Sequence, residues 1–503
     1  MVTITGTYLS TTTSIDFGTT AATSFGVISS TEITATAPPV GTPGIVQVTV
    51  VTTGGNTTPL GWVYVTGNIS YVPMVPRRIA DTRCSEQPLP PGIASSYCDE
   101  IPTSNRSLSM PIPPGAVTVQ VTGTGLIPSS AESAILNVTA ISSPEAHNGY
   151  LTIFPTGTKP PTASSLNFTP SEAVPNLVTA TLGQGGTVSI LSSSTDVNVV
   201  VDIEGYYTPS ISPAVGFHPL PTPFRALDTR CSITPAPTFC ANEQIPGVNS
   251  TIPAPKPRSS ISVDLAGIGG SAGVPLTATA ISLNLTAAGP ASGGYLTIWS
   301  QGSSTGTTPP ITSNVNFHRG TASSNSVVVM VSSSGPEAGK VYIYNAASTA
   351  TNVIVDISGY FAPGGYMATP SSPVRICDTR AATVIGGTDV TGGVTGQCSN
   401  TGTALDPAVS ATDPVTMQVT GIGGIPANAK AIIANVTAVN TTANGYLTVW
   451  NGTGSQPATS NVNWTKGDTV PNMIVSAIDS AGQVTIYASV TTNVIVDIVG
   501  WYS

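Results

Sequence analysis

Charge is what this chain has least of: 8% of its 503 residues are Asp, Glu, Lys or Arg, and only 15 are Lys or Arg. Long amphipathic helices need a charged face opposite an apolar stripe, so this composition leaves little to build them from. With a net charge of −9 and no basic run, it also argues against partners held by phosphate charge, whether nucleic acid or anionic membrane. No apolar run approaches the ~18 to 20 residues of a spanning helix. No membrane span is therefore expected, although the mean hydropathy is +0.23. Nor does the chain open on a basic-then-apolar secretory signal, which reads as a mature or truncated start.

Histidine is scarcer still. His147, His218 and His318 fall at three unrelated places in the repeat described below, so no copy shares a catalytic base, a triad or a metal pair. Two-carboxylate hydrolysis by Asp81 and Asp202 is disfavoured, because both sit within motifs supplying Arg or apolar strand neighbours. We expect no enzyme, no cofactor and no metal. The six cysteines form no Cys-x-x-Cys, and they predict three local disulfides: Cys84 with Cys98, Cys231 with Cys240, and Cys377 with Cys398. That implies an oxidising, extracellular or cell-surface compartment.

What is abundant is Thr, Ser, Gly, Val and Pro in short alternating runs, the pattern of an all-β chain. Residues 1–68 form one unit, with phrases such as Val2-Thr3-Ile4-Thr5 and Ile45-Val46-Gln47-Val48 between Gly/Pro turns. Phe17-Gly18, Ile33 to Pro38 and Gly54-Gly55 complete the set, and this stretch closely resembles the IPT/TIG immunoglobulin-like domain. The resemblance implies a small sandwich that here lacks its first strand, leaving an edge open to strand addition.

From residue 69 the chain repeats roughly every 145 to 150 residues. The phrase Pro-x-Arg-x-x-Asp-Thr-Arg occurs at 76–83, 223–230 and 373–380, and its Arg78, Arg83, Arg225, Arg230, Arg375 and Arg380 account for six of the 15 cations. Leu136-Asn137-Val138-Thr139, Gly149-Tyr150-Leu151-Thr152 and Val201-Asp202-Ile203-Glu204-Gly205-Tyr206 also have counterparts in both later copies. These phrases resemble an uncharacterised domain repeated in surface and secreted proteins of acidobacteria and actinobacteria. That resemblance implies location and modular use more than chemistry. One departure is that Cys377 precedes the Asp of its motif whereas Cys84 and Cys231 follow the Arg, so the third bridge is expected to be built differently.

The expected architecture is a tandem of β-sandwiches: an Ig-like domain (1–68), then three jelly-roll-like repeats at 69–209, 210–363 and 364–503. Short Pro/Gly linkers, 208–216 and 362–365, predict a semi-rigid row.

A polar set recurs with the repeat: Arg78, Asp81, Arg83, Asn137 and Asp202; Arg225, Asp228, Arg230, Asn284 and Asp356; Arg375, Asp378, Arg380, Asn435 and Asp497. Asn and Asp are depleted in strands, so their return needs a reason. One reading is a buried, mutually satisfied network in each domain; the other is a polar pocket for a sugar or another subunit's loop. Tyr150, Trp299, Trp450, Tyr206, Tyr360 and Trp501 are candidates for stacking on sugar faces or for core packing. Asn105 and Asn249 lie in glycan-acceptor sequons. The function expected is an extracellular structural protein, a surface or filament-forming subunit self-associating through the N-terminal domain and domain ends. The alternative is a carbohydrate-binding or adhesin module with a cell-wall or other glycan as partner.

Overall fold

The computed structural model describes residues 2–38, 44–57, 60–64, 69–86, 88–90, 93–110, 115–161, 163–209, 214–238, 240, 245–270, 273–300, 308–332, 334–380, 408–422 and 424–503. The chain is all-β, built from antiparallel sheets packed as sandwiches. In the N-terminal domain, β1 (Val2–Thr5), β5 (Glu32–Thr36) and β4 (Ser24–Val27) form one sheet in the order β1-β5-β4. The second sheet has β2 (Thr12–Phe17), β3 (Thr20–Ala21), β6 (Gly44–Thr52), β7 (Gly55–Asn56) and β8 (Leu60–Tyr64). Leu9, Ile15, Phe17, Ile33, Ala35, Val48 and Val50 fill the space between them.

Eight strands follow: β9 (Ser70–Asp81), β10 (Ala116–Gln120), β11 (Ser133–Ser142), β12 (Gly149–Pro155), β13 (Leu166–Phe168), β14 (Ala173–Thr181), β15 (Thr187–Ser192) and β16 (Val197–Thr208). They make two four-stranded sheets, β14-β11-β16-β9 and β10-β15-β12-β13. The pattern returns as β17 (Val215–Asp228), β18 (Ser259–Asp264), β19 (Ala280–Ala288), β20 (Gly294–Trp299), β21 (Val315–Phe317), β22 (Ser323–Met330), β23 (Lys340–Asn345) and β24 (Asn352–Pro363). It returns again as β25 (Ala368–Asp378), β26 (Val415–Gln418), β27 (Ala431–Val439), β28 (Gly445–Trp450), β29 (Val462–Trp464), β30 (Val470–Ala477), β31 (Gln483–Ala488) and β32 (Asn493–Tyr502). Strand order is the same in all three units, each label rising by eight.

A sheet with one wet face should alternate buried and exposed residues. β10 does, with Val117 and Val119 buried and Ala116 and Thr118 exposed. β11 does not: nearly every residue from Ser133 to Ser142 is buried. Ala134, Leu136, Val138 and Ala140 face the core of their own sandwich. Ile135, on the other face, belongs to a second apolar cluster shared by all three units. That cluster joins Tyr71, Leu177 and Tyr207 to Phe217, Val328 and Phe361 of the second unit and to Ile433, Met473 and Tyr502 of the third.

The edge strands β14, β22 and β30 meet one another. The three units therefore close around a pseudo-threefold axis, each turning its β14-type sheet inward. This corrects the expected row of domains: the short linkers fold the repeats back, because each repeat carries a second apolar face to bury.

Tyr71, Phe217 and Ala368 occupy one position of the repeat, and Tyr207, Phe361 and Tyr502 pair with them across the sheet. The resulting aromatic group holds Tyr71 and Phe361 rings 4.4 Å apart and Phe217 and Tyr502 rings 4.6 Å apart. The glycine of the closing phrase makes room for it: a Cβ on Gly205 would lie 2.3 Å from the Tyr71 hydroxyl, and one on Gly359 would lie 2.2 Å from the Phe217 ring.

Candidate binding clefts between the repeats

The Asp-Thr-Arg phrase ends the first strand of each repeat and caps the turn that follows. Asp81 Oδ1 accepts from the Arg83 amide at 3.1 Å, and the Asp228 and Asp378 carboxylates accept from Arg230 and Arg380 in the same way. The side chain of Arg83 then forks back onto Asp81, with Nε to Oδ1 at 2.9 Å and Nη2 to Oδ2 at 2.6 Å. Thr82 Oγ1 donates to Asn198 and accepts the Val199 amide. The motif is a turn cap closed by a charge-assisted fork.

The preceding arginine reaches across the sheet. Arg78 Nε and Nη2 donate to the two oxygens of Asp202 at 2.7 and 2.9 Å. Arg225 grips Asp356, and Arg375 grips Asp497, in matching two-point pairs. Strand register explains why distant phrases converge: Arg78 lies opposite Asp202, Asp202 opposite Asn137, and Asn137 opposite Leu177. Each repeat thus carries a transverse row on its inward face, Arg-Asp-Asn and then an axial residue.

The asparagines of that row reach into the next repeat. Asn325 Nδ2 donates to Asn137 Oδ1 at 2.8 Å, Asn472 Nδ2 to Asn284 Oδ1 at 2.9 Å, and Asn176 Nδ2 to Asn435 Oδ1 at 2.9 Å. The carboxamide oxygens complete a ring around the axis: Asn325 accepts from the Leu177 amide, Asn472 from Ser326, and Asn176 from Met473. Asn284 Nδ2 also donates to the Ser460 carbonyl at 2.6 Å, and Asn435 Nδ2 to that of Ser164 at 3.0 Å. The polar set is thus not confined to networks within single domains. The arginines and aspartates pair inside a repeat, Asp356 also accepting the Ser460 amide of the third repeat, and the asparagines tie neighbouring repeats together.

Between the first and second repeats the row ends at an open cleft of about 530 Å³. Arg78, Arg83 and Tyr97 line one wall; Tyr295 and the 311–313 segment line the other. Tyr97 is carried by the short helix α1 (Ser95–Asp99) inside the Cys84–Cys98 loop. Its hydroxyl donates to Asp81 Oδ2 at 2.6 Å and accepts from Arg78 Nη1, while the Arg78 guanidinium sits 5.5 Å from its ring centre. Burial, with the Asp81 carboxylate beside it, pushes the Tyr97 hydroxyl up to about 12. Burial would raise Asp81 too, but the hydrogen bonds and charge of Arg83 hold its carboxyl below its ordinary value. Tyr295 is 39% exposed and Ile311 49%.

The aromatic candidates separate. Trp299 and Trp450 are core residues, 2% and 5% exposed. Tyr206, Tyr360 and Trp501 are half-buried against the sandwich cores. Tyr150 is exposed. Tyr295, at the place of Tyr150 in the second repeat, faces the cleft. The phrase Gly-Tyr-Leu-Thr carried that signal, because its tyrosine precedes the buried half of the strand. Tyr97 precedes the second cysteine of its loop, where the other copies have Phe239 and Gln397, so its hydroxyl has no counterpart in them.

The sequon residues Asn105 and Asn249 are buried rather than presented in open loops. Asn105 Nδ2 bridges the carbonyls of Ile79 and Gln120, and Asn249 bridges those of Ala226 and Asp264. Two disulfides form as expected, Cys84–Cys98 and Cys231–Cys240. Cys377 is also disulfide-bonded, and Cys398 lies outside the described residues. Among the described residues no group of three or more His, Cys, Asp or Glu is placed to hold a metal ion, and no helix is long and apolar enough to cross a membrane.

The family model of the IPT/TIG domain matches residues 1–64. No curated protein matches the chain. Among solved structures, the chain is similar to the SGBP-B of a mixed-linkage glucan utilization locus of Bacteroides ovatus, in complex with a heptasaccharide. That likeness is 21% identical over 40% of this chain and 47% of that one, with a TM-score of 0.13, so it spans less than half the length of that protein. The SGBP-B of a xyloglucan utilization locus of Bacteroides uniformis is 11% identical over 72% of this chain and 94% of that one, with a TM-score of 0.14. A triple jelly-roll protein of an archaeal virus turret is 8% identical over 92% and 90%, with a TM-score of 0.14. The N-terminal 64 residues are thus similar to an IPT/TIG domain, followed by antiparallel sandwiches.

Proposed function

We propose that the chain is an extracellular, non-catalytic glycan-binding protein, with the cleft between its first and second repeats as the principal site. One observation carries this reading: an exposed tyrosine ring, Tyr295, faces a guanidinium and phenol cluster, Arg78, Arg83 and Tyr97, across an open gap. A half-exposed ring offers a stacking platform for a sugar face, and the N–H groups that Arg78 and Arg83 do not spend on Asp202, Asp81 and Tyr97 can donate to hydroxyls. Because Asp81 and Asp202 already neutralise the arginines, the cleft attracts no strong anion. Disulfides support an extracellular location. Screening an oligosaccharide array, then repeating it with Tyr295→Ala, tests the site. Loss of one stacking platform is expected to weaken binding about tenfold, roughly 1.4 kcal/mol. Saturable binding indifferent to Tyr295→Ala would count against this cleft.

A second reading, a surface or filament-forming structural subunit, is favoured by a different observation. Strand β4 lies at a sheet edge of the N-terminal domain, where Phe25, Val27 and Ile28 are 39%, 42% and 62% exposed. An apolar edge strand is a template for strand addition by another copy. Light scattering over a concentration series tests it; a monomer persisting at high concentration would argue against assembly.

A further inference from the structure

At one end of the pseudo-threefold axis the three repeats enclose a pit of about 350 Å³. Its wall repeats one residue three times, Asn167, Asn316 and Asn463, each opposite the tyrosine of its Gly-Tyr-Leu-Thr phrase: Tyr150, Tyr295 and Tyr446. We propose that this pit holds the end of an uncharged saccharide chain whose interior lies in the cleft toward Tyr295. The proposal rests on the glycan-binding reading and extends it to a second subsite.

Three features point there. First, pit and cleft are adjacent, sharing Asn316 and Ala173 in their linings. Second, the wall presents unspent hydrogen-bond acceptors. Asn463 Nδ2 is held by Ser324 and Ser460 hydroxyls, and Asn316 Nδ2 by Ser313, which fixes both amides. The side-chain carbonyl oxygens of Asn316 and Asn463, both residues of the pit lining, are left without a hydrogen bond of their own among the described residues. Glu172 and Asp468 each use one oxygen to accept a turn amide, from Thr169 at 3.3 Å and Thr465 at 3.0 Å, and retain the other for a ligand hydroxyl. Third, the described lining contains those two carboxylates and no Lys or Arg. A uronate or sulfated end would be repelled, while a hydroxylated neutral ring finds acceptors for its hydroxyls and the ring of Tyr150 in the lining. The pit closes around an end, where a continuous groove would pass a chain through.

The test is calorimetric titration of the full chain with cellohexaose, xylohexaose, mannohexaose and trigalacturonic acid, and with the corresponding neutral polymers at equal sugar concentration. End recognition predicts that a neutral hexaose binds, that its polymer binds in proportion to its far fewer ends, and that trigalacturonic acid does not bind. Asn167→Ala combined with Asn463→Ala is expected to weaken hexaose binding about tenfold, two hydrogen bonds' worth. If polymer and hexaose titrate alike per sugar, or the double variant binds as the wild type does while Tyr295→Ala fails to, the pit is refuted and the cleft stands. If no neutral sugar binds, both fall. The polymer comparison needs no variant, so it decides even if the double substitution unfolds the chain.

Discussion

At the scale of single residues, the recurring arginines do two jobs with one guanidinium. Arg78 satisfies Asp202, which is 1% exposed, and presents its remaining edge to Tyr97 and the cleft. Removing one partner of a buried pair leaves a charge without compensation, which costs on the order of 3 to 5 kcal/mol. Arg78→Ala is therefore expected to lower the thermal midpoint sharply, as seen by calorimetry; an unchanged midpoint would show that Asp202 is not buried against it. This part of the site was legible in the sequence. Arg, Asp and Thr at fixed spacing specify a capped turn and a fork, and both are local or cross-strand within one repeat. The asparagines were not legible to the same depth. Their return showed that they matter, but their partners lie in another repeat, and no local pattern encodes a contact across an axis.

At the scale of elements, the last strand of each repeat carries a bulge. Pairing of β11 with β16 jumps from Gly205 to Ile203, leaving Glu204 as the extra residue, with Ser358 and Val499 at that place in the other two copies. Bulges re-aim a side chain, and this one sends Glu204 across the interface, where it accepts from Asn314 Nδ2 at 2.6 Å and from the Val328 amide at 2.9 Å. Burial pushes its carboxyl from an ordinary 4.5 up to about 8, against the two hydrogen bonds. A raised folded-state value means that the folded chain binds the proton more tightly than the unfolded one. Glu204 thus costs nothing below about pH 4.5, and its cost grows as pH rises through 8. Wild type is expected to lose stability relative to Glu204→Gln between pH 5 and pH 9, by several kcal/mol, as read by denaturant midpoints at each pH. Parallel stability curves would mean that the carboxyl is solvated. Nothing in Val-Asp-Ile-Glu-Gly marks the glutamate as interfacial, because the bulge that turns it depends on register with β11.

At the scale of the whole molecule, composition and periodicity were enough to identify an all-β chain of sandwiches, and the copies carry the same phrases in the same order. The row of domains was the natural reading of short linkers and is wrong for a physical reason. β11, β19 and β27 are buried on both faces, so each sandwich keeps a second face that only neighbours can cover. Closure creates what no single repeat has, namely a cleft between units and a pit at the axis. The central claim is this closure, and the amides of Leu177, Ser326 and Met473 report on it directly. Each points off the free edge of its sheet and is capped by an asparagine from another repeat. Residue-resolved hydrogen exchange on the full chain is the decisive measurement. Closure predicts that the three amides exchange together and only with global unfolding. Exchange at the fast rate of solvent-exposed edge-strand amides would contradict it.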